Sequence, residues 1–221
     1  SRSRVFMSDP RQEDVLRDEL LVLSSPSDTT QFIERHYEKM GVATGAIALH
    51  VLARSCAKLS VAERKAVAAQ EWFSKMMMRL GGQLAGASDT DAQGLTTILW
   101  ALASLEQAES PLLLGLVKRL LLLAQHGRVT AAQLVLTAQA LARLRMLGGP
   151  IGIAVSNLAQ ARLGEFDCAQ LGSLSRCLTD AAATAGAGNA RIRRTRDASS
   201  PPCRAAASAG RASRAPAAAS I

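Results

Sequence analysis

The chain has 221 residues and a formal net charge of +8 at pH 7, with 48% hydrophobic residues but only 3% aromatic ones. Ala and Leu therefore carry the apolar load, which suits close-packed helices and suits a sheet poorly, since strands favour β-branched and aromatic side chains. The length allows one domain with a substantial core, and the absence of an apolar run of about 18 residues excludes a membrane-spanning helix.

In chain order, residues 1–10 read as an irregular lead-in. Arg11 to Leu23 is predicted helical, with Val15, Leu16, Leu20 and Leu23 on one face. Ser24 to Asp28 stops that helix and caps the next, Thr29 to Met40. Gly41 is predicted to terminate it, because glycine adopts the left-handed cap at little cost. Val42 to Lys58 follows as a partner helix. Val61 to Leu84 is predicted to be one long helix interrupted only by Gly81-Gly82. Gly86 to Asp89 is a loop, and Thr90 to Leu105 a helix. Ser110-Pro111 opens Leu112 to Gln125, with proline at the first helical position. Gly127 ends that segment, Thr130 to Leu147 is next, and Gly148-Gly149-Pro150 breaks the chain before Ile151 to Leu163 and Asp167 to Ala183. Loops this short leave successive helices antiparallel.

The segment Thr90 to Leu105 returns elsewhere. Its ALASL at Ala101 is echoed by VLARS at Val51, ALARL at Ala140 and CLTDA at Cys177. The starts lie 50, 39 and 37 residues apart. The last two spacings fit two-helix repeats of about 34–47 residues, and the first requires an insertion of roughly a dozen. Three copies also open alike, with Thr90, Thr130 or Asp167 three residues before Gln93, Gln133 or Gln170. That is capping-box spacing, in which the side-chain oxygen takes an orphan amide and the Gln reaches back. A unit that recurs at this period buries its apolar face by stacking on its neighbours. The expectation is an all-α fold, a right-handed α-solenoid of stacked helical hairpins with repeats of about 37–40 residues.

The block QGLTTILWALASL (Gln93 to Leu105) resembles the signature helix of the octotricopeptide-repeat proteins and their RAP-domain and FAST-kinase-like relatives. DTTQFIERHYEKMGVATGAIALHVLARSCAKL (Asp28 to Leu59) resembles the amino-terminal part of the same group. The resemblance spans Asp28 to Asp180. It implies an α-helical solenoid that binds RNA in a mitochondrion or a chloroplast, the former preferred, and acts in transcript maturation, stability, translation or ribosome assembly. The chain departs from the family pattern in the drifting length of its repeats and in showing no RAP domain after them, so no nuclease-like role is implied.

From Thr184 the composition turns to Ala, Arg, Ser, Gly and Pro, with Ile192 and Ile221 the only large apolar residues. Such a segment buries too little surface to offset its ordering entropy and is predicted to be disordered. The organisation read from sequence is therefore a lead-in and helix over 1–27, the helical-repeat body over 28–183 and a basic tail over 184–221. Residues 189–221 hold seven Arg and one Asp, a net +6, which leaves +2 for residues 1–188. The pI of about 10.0 thus belongs mostly to the tail, and says little about whether the body binds nucleic acid. Arg191, Arg193, Arg194 and Arg196 form either a basic arm for phosphates or a low-complexity extension.

No catalytic constellation is visible. His36, His50 and His126 have no second ligand at metal spacing, and Cys56, Cys168, Cys177 and Cys203 form no C-x-x-C pair. Neither a phosphate loop nor a nucleophile elbow occurs. No cofactor and no metal are expected. The repeat alignment instead marks a column. Opposite the Leu95, Leu99, Leu102 stripe lie Thr97, Trp100 and Ser104. Trp100 corresponds to His50, Gln139 and Arg176, and Ser104 to Arg54, Arg143 and Asp180, whereas Leu52, Leu102, Leu141 and Leu178 stay constant. Variable polar positions beside constant apolar ones suit a reader of unpaired bases, since Trp, His and Arg stack and Gln bonds to base edges. His50, Trp100, Gln139, Arg176, Arg54 and Arg143 are the candidate base contacts; the alternative is a solvated or gap-filling column. Lys58, Arg64, Lys65, Lys75 and Arg79, with Arg54 and against Glu63 and Glu71, give that segment a net +4. They are the candidate phosphate contacts, or else a solvated face. The functional expectation is non-catalytic RNA binding by positioning, with ribosomal or other organellar proteins as further partners. The rival is an α-helical scaffold that grips a protein through its concave face.

Overall fold

In the computed structural model, residues 10–86 and 91–199 are described, with side chains for 11–86 and 91–183. Among them the protein is all-α. The helices are α1 (Pro10–Val22), α2 (Pro26–His36), α3 (Val42–Ser55), α4 (Val61–Ala68), α5 (Glu71–Gly86), α6 (Ala92–Ser104), α7 (Leu112–Gln125), α8 (Ala131–Arg143), α9 (Gly149–Ala161) and α10 (Cys168–Ser199). Short 3-10 turns at Tyr37–Lys39, Cys56–Lys58 and Leu163–Glu165 follow α2, α3 and α9. No helix among the described residues is long and apolar enough to cross a membrane.

The chain divides into two units, Ser1–Ala185 and Gly186–Ile221. In the first, α3 packs on α6 and α6 on α8, while α5 packs on α7 and α7 on α9. Cross-links join α3 to α5, α6 to α7 and α8 to α9, and α1 and α2 close on α3. The α3–α6–α8 row holds the densest part of the core, with Leu49, Leu52, Leu95, Ile98, Leu99, Leu102 and Leu141 fully buried. These residues recur at helical spacing, so each helix turns a wide apolar arc inward. Leu178, the fourth member of the constant Leu column, is only partly buried against the core.

Several local expectations are corrected. Residues 61–86 are two helices, not one. The break falls at Ala69-Gln70, where the Phe73 amide donates to the Gln70 carbonyl at 3.1 Å, and Gly81-Gly82 lie inside α5. The reason is burial: α4 buries only Ala68, and a change of direction lets α5 press Trp72, Phe73, Met76, Met77, Leu80 and Leu84 inward. Gly41 is not a left-handed terminator. With φ −82 and ψ −174 it is the extended N-cap of α3, and a Cβ there would collide with the Glu13 carboxylate of α1. The helix before it, α2, begins at Pro26, with Ser25 at the N-cap and proline in the first turn. Ser110 does not cap α7, whose N-cap is Pro111; the buried Ser110 Oγ has no hydrogen-bond partner.

The capping boxes fare unequally. In α8 the Gln133 amide donates to Thr130 Oγ1 at 3.2 Å and the Thr130 amide to Gln133 Oε1 at 2.8 Å. At α10 the Asp167–Gln170 pair does the same at 2.7 and 3.1 Å. Thr90 lies outside the described residues, and the N-cap of α6 is Asp91, whose Oδ1 accepts from the Gln93 amide at 3.2 Å. The third helical position of α6 is then Gly94, which has no side chain to reach back.

Helix ends carry a signal that local sequence patterns do not announce. Glu106 and Arg145 stand at φ 61 and φ 57, directly after Leu105 and Leu144, the C-cap residues of α6 and α8. At both, the next amide returns to a helix carbonyl, Gln107 to Leu102 at 2.9 Å and Met146 to Leu141 at 2.8 Å. That is the Schellman closure, usually built with glycine, as Gly127 at φ 69 builds it after α7. The basic tail is also revised in part. Helix α10 continues past Ala183 to Ser199, through residues dominated by Ala and Arg, which have high helix propensity. Residues 200–221 of the expected disordered tail, Cys203 among them, lie outside the described residues.

Candidate functional site

Helices α6 and α8 lie side by side in register: Gln133 Nε2 donates to Gln93 Oε1 at 2.9 Å, joining their first turns. On the α3–α6 side the register is marked by His50 and Trp100, each nine residues into its helix, whose ring centroids are 5.0 Å apart at 38°. The outward face of the row follows from which positions stay accessible. Among them are Ala43, Ile47, His50 and Arg54 on α3, Gln93, Thr97 and Trp100 on α6, and Ala132, Leu136, Gln139 and Arg143 on α8.

His50, Trp100 and Gln139 therefore share one solvent-facing band, with Arg54 and Arg143 one turn further along α3 and α8. Trp100 and His50 are half-buried and Gln139, Arg54 and Arg143 exposed. Ser104, expected on the same face, is buried and its Oγ has no hydrogen-bond partner. The α6 helix thus lacks a polar group level with Arg54 and Arg143. Arg176 on α10 is exposed and folds back, its Nε donating to the Gly172 carbonyl at 3.3 Å. Burial, with Arg54 a smaller contributor, pushes His50 below its ordinary value, which favours the neutral ring. Ile47, Thr97 and Leu136 complete the band, and their equivalence in the repeat alignment is the sequence signal that marks them.

The candidate phosphate residues do not form one open cationic surface. Arg64 is half-buried, with Nη1 donating to the Leu59 carbonyl at 2.8 Å and Nη2 3.6 Å from Glu106 Oε1. Lys75 is bound to Glu71 at 2.8 Å; that bond holds Lys75 above and Glu71 below their ordinary values. Arg79 is half-buried and lines a groove with Tyr37, Glu38, Lys75 and Met78. Lys58 and Lys65 are exposed. The +4 excess read along the chain is thus spread over separate places, because helical folding pairs charges that sequence order merely sums.

His36 is structural in setting, its ring 4.7 Å from Phe32 and its Nδ1 buried without a partner. Cys56 is buried and Cys177 half-buried, and burial pushes both thiols up. Among the described residues no group of three or more His, Cys, Asp or Glu could hold a metal ion.

Fold and face together define an all-α protein with a mixed aromatic, cationic and amide band on three adjacent helices. No known protein family, no curated protein and no solved structure matches the chain.

Proposed function

We propose that the outward face of α3, α6 and α8 binds single-stranded RNA without catalysis. The observation that carries this reading is the His50–Trp100 ring pair held at the surface, with Arg54 and Arg143 exposed one turn beyond the band. Aromatic faces take unpaired bases regardless of sequence, at about 1–3 kcal/mol per stacked base, and guanidinium groups take the phosphates. In this arrangement bases lie over His50, Trp100 and Gln139, and the sugar-phosphate chain runs past Arg54 and Arg143. The recurrence of burial pattern and Schellman closure between α6 and α8 supports a solenoid-type array as the scaffold. The resemblance of Asp28 to Asp180 to octotricopeptide-repeat proteins adds an organellar setting, mitochondrial before chloroplast, and a transcript or ribosomal RNA as ligand.

The test is fluorescence anisotropy with a short single-stranded RNA across a salt series. The double variant Arg54→Ala/Arg143→Ala removes two exposed cations and leaves the core untouched. Its salt slope should fall by about 0.7 for each phosphate that the variant no longer neutralises, and His50→Ala should weaken binding by about tenfold or more. Affinity and slope equal to the unaltered chain would reject the reading. The second reading, a scaffold for a protein partner, is favoured by one observation: Arg64 and Lys75 are engaged by Glu106 and Glu71, so the body offers fewer cations to RNA than its sequence promises.

A further inference from the structure

Four arginines among the described residues are half-buried: Arg64, Arg79, Arg119 and Arg162. Three of them have a fixed acceptor. Arg64 donates to the Leu59 carbonyl, Arg119 to the Leu84 carbonyl and Arg162 to the Glu165 carboxylate. Arg79 has neither a hydrogen bond nor an ion pair, and its Nε is buried without a partner. Drawing a guanidinium partly out of water without a counter-charge is costly. Its planar fork matches the oxygens of a phosphate or a carboxylate.

Arg79 lines a groove of about 460 Å³ with Tyr37, Glu38, Lys75 and Met78. Tyr37, Glu38 and Lys75 also line a wider opening of about 650 Å³ that runs on past Gln70 and Trp72. The two are therefore one groove between α5 and the turn Tyr37–Lys39, which packs on it. Both volumes fall in the range of about 300–1,000 Å³ usual for small-molecule sites. The chemistry of the walls changes along the groove. Arg79 and Met78, the latter 64% exposed, mark one end. In the shared middle stand Lys75, the half-buried Tyr37 ring and Glu38, whose Oε1 accepts from the Tyr37 hydroxyl at 3.4 Å. Lys75 is held only by an exposed pair with Glu71, a contact of little net worth that a stronger anion displaces. The exposed Glu34, Arg35 and Glu71 border the wider part.

We propose that this groove binds a nucleoside monophosphate, with its phosphate on Arg79, its base against Tyr37 and its ribose hydroxyls donating to Glu38. The phosphate supplies the acceptors that the Arg79 fork lacks, and Lys75 swings from Glu71 to share its charge. Both signs of charge in the groove select this class. A bare anion would be repelled by Glu38 and would leave Tyr37 and Met78 uncovered, whereas a ligand that is anionic at one end, planar at the other and hydroxylated between uses every wall. The site lies on α5 and the turn after α2, apart from the His50–Trp100 face on α3, α6 and α8, and does not rest on RNA binding there.

The test is isothermal titration of the full chain with adenosine monophosphate, adenosine and inorganic phosphate. The monophosphate should bind saturably, and the other two about tenfold or more weakly, since each lacks one charge-assisted or stacking contact. Equal binding of adenosine, or of inorganic phosphate as an adventitious ion only, overturns the proposal, as does absence of saturable binding. Arg79→Met keeps the stem and removes the charge. It should weaken the monophosphate by about tenfold or more, while thermal unfolding without ligand stays at or above that of the unaltered chain, because no protein partner is lost. Glu38→Gln, at an exposed position, should weaken the monophosphate and leave inorganic phosphate no weaker. Unchanged affinity in Arg79→Met, or tighter monophosphate binding in Glu38→Gln, overturns the assignment. The Arg54→Ala/Arg143→Ala chain, which tests the RNA reading, should bind the monophosphate as the unaltered chain does; loss of it there with Arg79→Met unaffected would put the nucleotide on the other face and reject this one.

Discussion

His50 and Trp100 stand fifty positions apart in the chain and 5.0 Å apart between ring centroids. This contact ties α3 to α6 at the surface, and burial together with Arg54 keeps the imidazole below its ordinary value. The folded state therefore holds fewer protons at this ring than the unfolded chain does. Above pH 6.5, the ordinary value, both states are neutral and the group contributes nothing to pH dependence. As pH falls below 6.5 the unfolded chain takes up the proton first, so stability declines until the folded ring titrates as well. Thermal midpoints compared between pH 7.5 and 5 should fall more for the unaltered chain than for His50→Gln. Identical slopes would show that the ring's surroundings do not penalise its charge.

Leu52, Leu102 and Leu141 occupy equivalent places on α3, α6 and α8 and are each fully buried, whereas Leu178 on α10 is only partly so. Truncation to Ala at each of the first three should cost about 2–5 kcal/mol. Leu178→Ala should cost clearly less, because a side chain with partial contact leaves a smaller cavity. Urea unfolding of the four single variants measures this ranking, and a Leu178 cost equal to the others would show that α10 packs more tightly than its burial implies.

Glu13 and Gly41 compete for one volume. The carboxylate reaches over the N-terminus of α3, where Oε2 accepts from Thr44 Oγ1 at 3.2 Å, and a Cβ on Gly41 would occupy its place. An acidic group there complements the helix dipole and the exposed first-turn amides. Gly41→Ala should destabilise, and Glu13→Ala should cost about 1 kcal/mol, as loss of a cap does. In the double variant the collision has no partner, so the two losses should fall short of additive by at least ~0.5 kcal/mol. A double-mutant cycle by chemical denaturation reads the coupling directly, and strict additivity would mean that the carboxylate moves aside freely.

Arg145 and Glu106 share a left-handed backbone but not a set of contacts. Holding a side chain at such a φ costs roughly 1–2 kcal/mol, and Arg145 is exposed, so Arg145→Gly should raise stability by up to about 1 kcal/mol. Glu106 also lies 3.6 Å from Arg64, whose side chain is largely covered. Glu106→Gly therefore relieves the backbone but leaves the Arg64 guanidinium with the Leu59 carbonyl and no carboxylate, and should gain less or lose. Equal gains at the two positions would show that the Arg64 contact contributes nothing.

Much of this architecture is legible in the sequence because helix formation is local. The Ala- and Leu-rich periodicity marks α3, α6 and α7 with ends close to those observed and the start of α8, though not its end, which falls at Arg143 and not Leu147 because Arg145 turns left-handed; Thr130–Gln133 and Asp167–Gln170 reveal their capping boxes by spacing alone. The α4–α5 break is not legible, because Val61 to Leu80 has adequate helix propensity throughout, the weak residues Gly81-Gly82 lie inside α5, and the turn at Gln70 goes with the burial of Trp72 and Phe73. The helical period puts His50, Trp100 and Gln139 on the outward α3–α6–α8 face, but it cannot foresee that packing draws Ser104 inward.

What the sequence determined by itself is the all-α class and which side chains ride on the outward arc of each central helix, since both depend on neighbours within a few residues. Which charges remain available was decided only by tertiary structure. Arg64 meets Glu106 across more than forty positions, Glu13 of α1 fills the space where Gly41 would carry a Cβ, and a cleft lined by Gly81 and Gly115 exists only where α5 comes to lie against α7. Contacts of that kind depend on which helices become neighbours in space, a relation that linear order does not encode.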